Sequence, residues 1–216
     1  MKHLWRLVVS EHRTDEEQAE ALKKWWNENG KFIMAGIVIG IGAIFGWRGY
    51  NAHLVQQAEE ASVLYEEMLV ASRENDSENI AVYANRIIEG YKSSTYATFA
   101  TLMLAKIAAE AGELEEAETH LKSVLSNNQQ EEFGHVARLR LARVLIAADK
   151  LDEADKTLSV SKTGDFSARY EELRGDILVK QHKIDEARQA YQKALANSTS
   201  GSQPILQMKL DDLGRI

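Results

Sequence analysis

The side chains that could perform acid–base or metal chemistry lie scattered along this chain of 216 residues, and its histidines are His3, His12, His53, His120, His135 and His182. No two of them stand three or four residues apart, the spacing that brings two imidazoles to one helical face around a metal ion. The Asp-Glu pairs at 152–153 and 185–186 belong to a repeated turn phrase, and the absence of cysteine excludes thiol catalysis and iron–sulfur clusters. The sequence therefore predicts a protein that is not an enzyme, without catalytic, cofactor-binding or metal-binding residues.

One apolar stretch organises the N-terminal part of the chain. Phe32 to Trp47 carries no charged side chain, and Lys31 and Arg48 flank it. As a helix, residues 31–50 would extend about 30 Å, the thickness of a bilayer core. A buried core helix is disfavoured because the rest of the chain is too polar to surround it. A cleaved signal peptide is disfavoured because about thirty residues precede the stretch, so we predict an uncleaved transmembrane helix over residues 31–50.

The positions of lysine and arginine predict how this helix is oriented. The basic residues before it are Lys2, Arg6, Arg13, Lys23, Lys24 and Lys31, whereas after Arg48 none occurs until Arg73. Lysine and arginine close to a span favour the cytoplasmic side. We therefore predict a cytoplasmic N-terminal segment over residues 1–30 and a translocated domain over 51–216, which is periplasmic in a bacterium with an outer membrane.

Two features of the N-terminal half leave alternatives open. Residues 15–28 have amphipathic spacing after a candidate N-cap at Thr14, which is typical of a short helix on a membrane or partner, or of a juxtamembrane linker. Within the span, small residues form two faces: Gly36, Gly40 and Ala43 on one, Gly42 and Gly46 on the other. Such faces let helices approach closely in lipid, so they indicate a homodimer or a contact inside a larger membrane complex.

The remainder of the chain has the composition of an all-α domain. It contains a single proline, Pro204, and no sustained alternation of apolar and polar residues that would indicate strands. Residues 51–216 hold 19 Lys and Arg against 27 Asp and Glu, a net charge of −8. Because such a surface repels phosphate groups, we expect no nucleic-acid partner and no docking on anionic lipid.

A phrase repeated three times gives the architecture of this domain. It reads GELEEA at 112–117, DKLDEA at 149–154 and HKIDEA at 182–187, with the final alanines 37 and 33 residues apart. Twelve residues before each of these alanines stands a small residue: Ala105, Ala142 and Gly175. We predict three helix–turn–helix units, a degenerate fourth at residues 54–90, and a last helix from Pro204 that caps the stack. An ordinary antiparallel helix bundle is the alternative.

The pattern resembles the tetratricopeptide repeat, a 34-residue helix–turn–helix unit with small residues where its two helices touch. That resemblance implies a short α-solenoid whose first helices line a concave groove for peptides. The residues it places there are Phe99, Leu102, Lys106, Leu139, Arg143, Ile146, Arg169, Glu172 and Asp176. The first two units would suit an extended or partly unfolded chain, and the third is charged. The alternative is a shallow groove that the flanking helices partly fill.

The whole chain from about Asp15 onward resembles the YfgM family; residues 1–14 lie outside the resemblance. The residues that carry it are the ENGK entry to the span, the glycine-rich span with its Gly-Trp-Arg exit, YEELRGDIL and QMKLDDL. The resemblance implies a single-pass protein of the bacterial inner membrane with a periplasmic tetratricopeptide-like domain. It further implies an ancillary subunit of the Sec translocon, associated with the membrane-anchored chaperone PpiD and assisting newly exported polypeptides. The competing hypothesis is a scaffold for another envelope machine, such as cell-wall synthesis or division.

Overall fold

A computed structural model describes residues 15–127, 130–198 and 203–214, which are helical and contain no strand. The helices are α1 (Asp15–Arg73), α2 (Ser77–Gly90), α3 (Thr95–Glu110), α4 (Leu114–Asn127), α5 (Glu131–Ala147), α6 (Leu151–Leu158), α7 (Ser167–Lys180), α8 (Ile184–Ala196) and α9 (Gln203–Asp212). A short 3₁₀ turn, Gly164–Phe166, precedes α7. The predicted all-α class is confirmed.

The chain divides into two compact units, Met1–Val55 and Gln56–Ile216. In the described part of the first unit, residues 15–28 are helical as part of α1, so they are neither a separate short helix nor a linker without secondary structure. The predicted N-cap, Thr14, lies outside the described residues. Among the helices described, α1 is the one long and apolar enough to cross a membrane by length and composition.

The second unit is a stack of helix pairs. The end of α1 packs with α2 and α3 through a core that includes Met68, Ile87 and Leu104. The further pairs are α3 with α4, α5 with α6 and α7 with α8, and α9 packs on α8. Each pair contacts the next because the first helix of one pair lies against the second helix of the pair before it. This is the predicted solenoid with a C-terminal capping helix.

The turn inside each pair has the same left-handed backbone. It is occupied by Gly112 (φ 82°), Asp149 (φ 60°) and His182 (φ 60°), and Asn75 (φ 57°) takes the same place in the degenerate unit. In each turn the amide three residues past the last residue of the helix donates to the carbonyl five residues before it, as from Lys150 to Leu145 at 2.8 Å. This hydrogen bond satisfies carbonyl groups that the helix end leaves free. Residues 54–90 are therefore a repeat unit whose turn does not need glycine.

The small residues predicted at the helix contacts are all buried, and they are Ala105, Ala117, Ala142, Ala154, Gly175 and Ala187. The repeat register is therefore confirmed. In the degenerate unit the equivalent positions hold Met68 and Ile80, which are also buried. Large side chains thus fill the contact that alanine and glycine make elsewhere, which explains why this unit is hard to recognise from sequence.

Two helices depart from the pattern. In α4 and α8 the helix continues past the seventh residue after the repeat alanine. In the second unit α6 ends at Leu158, and the equivalent residue, Ser161, is exposed. In α9 and the turn that follows it, the apolar residues divide: Leu206 and Leu213 are buried, whereas Ile205 and Met208 are 57% and 65% exposed. The capping helix therefore contributes to the core with one face and presents apolar side chains on the other.

The left-handed turns lead to a stability prediction. His182→Gly is expected to raise the free energy of unfolding by up to about 1 kcal/mol, because glycine adopts positive φ without the steric cost that histidine has. The matched control is Lys183→Gly, at φ −94°, where glycine brings only extra freedom to the unfolded chain and should lower stability. Urea unfolding of the full-length protein in mild detergent measures both. Equal effects of the two substitutions would contradict the assigned turn.

Candidate protein-binding surface

Equivalent positions on the first helices of successive pairs form a row along the stack. They are Leu69, Lys106, Arg143 and Asp176, separated by 37, 37 and 33 residues. Lys209 on α9 follows after another 33 residues. Because α9 packs on α8 as each earlier first helix packs on the helix before it, Lys209 continues the series. We call these five residues the groove row.

The apolar residues predicted for the groove are placed differently from one another. Leu102 and Leu139 are only 7% and 3% exposed. They belong to the hydrophobic core that α3, α4, α5, α6 and α7 share, so the prediction that they line an accessible surface is wrong. The reason is that neighbouring helices close over the helical turn that precedes Lys106 and Arg143. Ile146 is half-buried against the same core. Peptide binding by the predicted set stays a prediction.

Phe99 belongs to an aromatic cluster that crosses three helices. Its ring centroid lies 5.7 Å from that of Tyr65 on α1 and 5.2 Å from that of Phe133 on α5. Tyr96 completes the cluster at 5.3 Å from Tyr65. These distances are typical of favourable aromatic pairs. All four rings are half-buried, so the cluster links neighbouring units and leaves part of each ring accessible.

The acidic residues predicted in the third unit are occupied by the capping helix. Lys209 Nζ donates to Glu172 Oε1 at 2.8 Å and to the two carboxylate oxygens of Asp176 at 2.7 and 2.9 Å. Tyr191 donates its hydroxyl to Asp176 at 2.7 Å, while Arg169 is exposed. At this unit the structure therefore matches the alternative in which a flanking helix fills the groove.

Burial and hydrogen bonding perturb the titration of this cluster. Burial raises the pKa of Tyr191, and the hydrogen bond to Asp176 raises it further. For Lys209, burial lowers the pKa, but the hydrogen bonds to Asp176 and Glu172 outweigh it and the pKa is raised. The lysine is therefore charged at neutral pH, and the cluster acts as an ion pair that ties α9 to α7.

A second ion-pair network joins two repeat units and was not predicted. Glu118 on α4 is nearly buried, and it accepts hydrogen bonds from Lys122 and, at 2.9 Å, from Lys150 in the turn between α5 and α6. The hydrogen bond from Lys122, followed by that from Lys150, lowers the pKa of the Glu118 carboxyl against the opposing effect of burial. The sequence holds no signal for this contact beyond the recurring lysine and glutamate of the repeat.

The Glu118 network gives a pH-dependent prediction. Because the folded-state pKa lies below the ordinary value of 4.5, the stabilisation is complete above that value and is lost as pH falls through the folded-state pKa. Glu118→Gln is expected to lower the free energy of unfolding by about 1 kcal/mol at pH 7, and the difference should shrink in the acid range. Unfolding at several pH values measures it. Glu67→Gln, at an exposed site on α1, is the control, and a pH-independent difference at Glu118 would contradict the assignment.

His135 is a core histidine rather than a candidate ligand. Its Nδ1 lies 2.9 Å from the hydroxyl of the buried Tyr170, and its ring stacks on Phe166 with centroids 5.0 Å apart. Across the described ranges, no group of three or more His, Asp or Glu is arranged to hold a metal ion. The polar groups in this part of the core are therefore paired with one another.

The glycines of the apolar stretch lie on an uncovered helix. A Cβ built on Gly36, Gly40, Gly42 or Gly46 would meet nothing within 4 Å, and Ala43 is exposed. Among the residues that the structure describes, no close packing requires these small side chains. Their role as a contact surface for another membrane helix stays a prediction.

Comparison with known proteins decides the family. A profile described as a tetratricopeptide repeat-like domain matches residues 23–215. A Haemophilus influenzae protein named ancillary SecYEG translocon subunit is 32% identical over 199 residues, covering 92% of this chain and 97% of that protein. An Escherichia coli protein of the same name is 32% identical over 203 residues, covering 94% and 98%. The chain belongs to the YfgM family.

This YfgM family member also has a fold found in solved structures. MamA 41-end from Desulfovibrio magneticus RS-1 matches with a TM-score of 0.59 at 17% identity, covering 73% of this chain and 85% of that one. The MamA RS-1 ArsTM double mutant matches with a TM-score of 0.55 at 16% identity, covering 74% and 97%. These likenesses concern the fold alone.

Proposed function

We propose that this protein is a non-enzymatic, membrane-anchored accessory subunit of the Sec translocon that acts through protein–protein contacts. The observation that carries the proposal is the match over nearly the full length to relatives named ancillary SecYEG translocon subunit. That name supports a Sec-associated accessory role, and together with α1, which is long and apolar enough to cross a membrane, it supports anchoring in the inner membrane. A stack of repeat units without a metal cluster in its described part is suited to binding proteins rather than to catalysis.

The proposed topology places residues 1–30 in the cytoplasm and the repeat domain in the periplasm, and the distribution of lysine and arginine supports it. The chain has no cysteine, so single cysteines report position without background. A membrane-impermeant maleimide should label Ser126→Cys once the outer membrane is permeabilised. It should label Glu20→Cys only after the inner membrane is opened. The reverse pattern would contradict the proposed orientation.

The apolar helix is proposed to contact the translocon channel or a PpiD-type chaperone through its small-residue faces. Photo-crosslinkers at Gly40 and Gly46 are expected to capture a Sec or chaperone helix, whereas one at Ile41, on the opposite side of the helix, should capture mainly lipid. Capture of a second copy of this chain at both glycines would instead assign the faces to a homodimer. Capture of lipid alone at both would contradict their role.

The repeat domain is proposed to meet the periplasmic chaperone and polypeptides that leave the channel. Its half-buried aromatic cluster around Phe99 offers apolar contact area of the kind that extended chains use. Gentle co-purification from membranes with mass spectrometry tests the whole assignment. The Sec channel and a PpiD-type chaperone should be the reproducible partners. Reproducible partners from cell-wall synthesis or division instead would overturn the proposal.

A further inference from the structure

The charges of the groove row differ along the stack. Asp176 and Lys209 have opposite charges, whereas the neighbouring residues Lys106 and Arg143 are both positive. Asp176 and Lys209, on consecutive first helices, meet at 2.7 Å. Side chains at equivalent positions on neighbouring first helices can therefore approach closely enough to form an ion pair. Lys106 and Arg143 occupy the preceding pair of positions, and both are positive. An ion pair like that between Asp176 and Lys209 therefore cannot form between Lys106 and Arg143.

Other carboxylates do not compensate for this. Asp176, the acidic neighbour of Arg143 in the row, uses both oxygens on Lys209. Lys106 approaches only Glu110 on its own helix, at 3.6 Å, and both side chains are more than half exposed, so that ion pair contributes little. Arg143 has no ion pair with any residue that the structure describes.

A third cation, Arg140, lies beside Arg143. Its guanidinium donates to the backbone carbonyl of Leu102 at 3.3 Å, and among the described residues it has no carboxylate partner. Burial lowers the pKa of Arg140, and the positive charge of Arg143 lowers it further. Two guanidinium groups thus repel each other in a domain whose net charge is −8. A bound anion would relieve this repulsion.

These cations surround a depression with an apolar floor. Its volume is about 380 Å³, and it lies between α3, α4 and α5. The floor is formed by the side chains of Ala105, Ala109, Leu121 and Val144. The rim holds Lys106, Arg140 and Arg143, with Glu110 as the acidic residue. We call this site the basic depression.

We propose that the basic depression binds an acidic amphipathic helix of a partner protein. One apolar side chain of that helix would rest on the floor, and carboxylates one helical turn away would pair with Arg140, Arg143 and Lys106. The apolar floor suits an apolar side chain rather than a phosphate group. The contact of α9 with Asp176 shows that a helix carrying the complementary charge docks against a member of the groove row. This inference rests on the proposed function, since it gives the chemistry of one of the translocon-associated partners.

The test is the binding of a designed peptide to the full-length protein in mild detergent. The probe is a fluorescent helical peptide of about 18 residues with one leucine and two glutamates on the same face. A counterpart with lysine in place of the glutamates serves as its control. We expect the acidic peptide to bind, with affinity that falls as salt increases, and the lysine peptide not to bind.

Charge-reversed variants locate the site. Arg140→Glu with Arg143→Glu should weaken binding of the acidic peptide about tenfold or more and allow the lysine peptide to bind. Arg86→Glu with Lys193→Glu changes the net charge equally at exposed sites on α2 and α8, and it should leave both affinities unchanged. Gain of lysine-peptide binding also shows that the double variant is folded. Equal loss in both double variants, or no binding of the acidic peptide to the unsubstituted protein, would overturn the inference.

Co-purification of the Sec channel, measured on the same preparations, tests the accessory role separately from helix binding at the basic depression. If the channel co-purifies but the peptide does not discriminate between the variants, the basic depression fails and the accessory role stands. If the channel does not co-purify, the accessory role fails whatever the peptide does.

Discussion

Gly175→Leu is expected to lower the free energy of unfolding by about 1–3 kcal/mol, as overpacking of a closed core site does. A Cβ at Gly175 would overlap the ring of Tyr191 and lie 2.9 Å from its Cζ atom. The ring cannot yield, because it is buried and its hydroxyl is held by Asp176. The two helices α7 and α8 must therefore separate. Urea unfolding of the full-length protein in mild detergent measures the loss.

Gly90→Leu provides the matched control for this substitution. Gly90 is the last residue of α2, is exposed, and has nothing within 4 Å of the position of a Cβ. The same change of side chain should therefore leave stability nearly unchanged there. Ala154→Phe, at a fully buried contact in the second unit, should behave like Gly175→Leu. Unchanged unfolding in both core variants would show that the repeat register is wrong.

Lys209→Met is expected to have the second largest effect, a loss of about 2 kcal/mol concentrated in α9. The substitution leaves Glu172 and Asp176 close together without their cation. Removing one partner of a fully buried ion pair costs about 3–5 kcal/mol. The expected loss is smaller here because the Lys209 side chain is 29% exposed. Hydrogen exchange in α9 should accelerate, while exchange in α3 should stay unchanged.

Neutralising the acids supplies the control for this second prediction. Lys209→Met combined with Glu172→Gln and Asp176→Asn removes the repulsion along with the ion pair, so most of the lost stability should return. If the triple variant is as unstable as Lys209→Met alone, the loss comes from packing of the lysine stem rather than from charge. Faster exchange throughout the domain, in α3 as much as in α9, would contradict the local role assigned to Lys209.

The repeat could be predicted from sequence because its signal is local. The turn phrase and the small residue twelve positions earlier follow from how two consecutive helices touch, and that contact repeats in every unit. Gly175 and Ala154 were therefore found by spacing alone. The degenerate unit could be predicted only as residues 54–90, and the structure places its turn at Asn75, a residue type that tolerates the left-handed backbone.

The groove residues were harder to predict, because their exposure depends on how neighbouring pairs close on one another. Helical spacing assigns Leu102 and Lys106 to the same face, yet the first is buried and the second is exposed. One helical turn separates the core from the surface, and that boundary depends on the adjacent helix. Lys209 was missed for a related reason: the last helix looked like an apolar cap, and its apolar spacing hid a charged residue in register with the repeats.

The ion pair at Lys209 has a consequence for how long the protein survives in the cell. Each helix pair contacts only its neighbours, so α9 can detach without disturbing α3 or α4. Proteases cleave chains that open transiently, at a rate that follows how often the segment opens. A single lysine and its two carboxylates would then set how readily proteases reach the C-terminal helix.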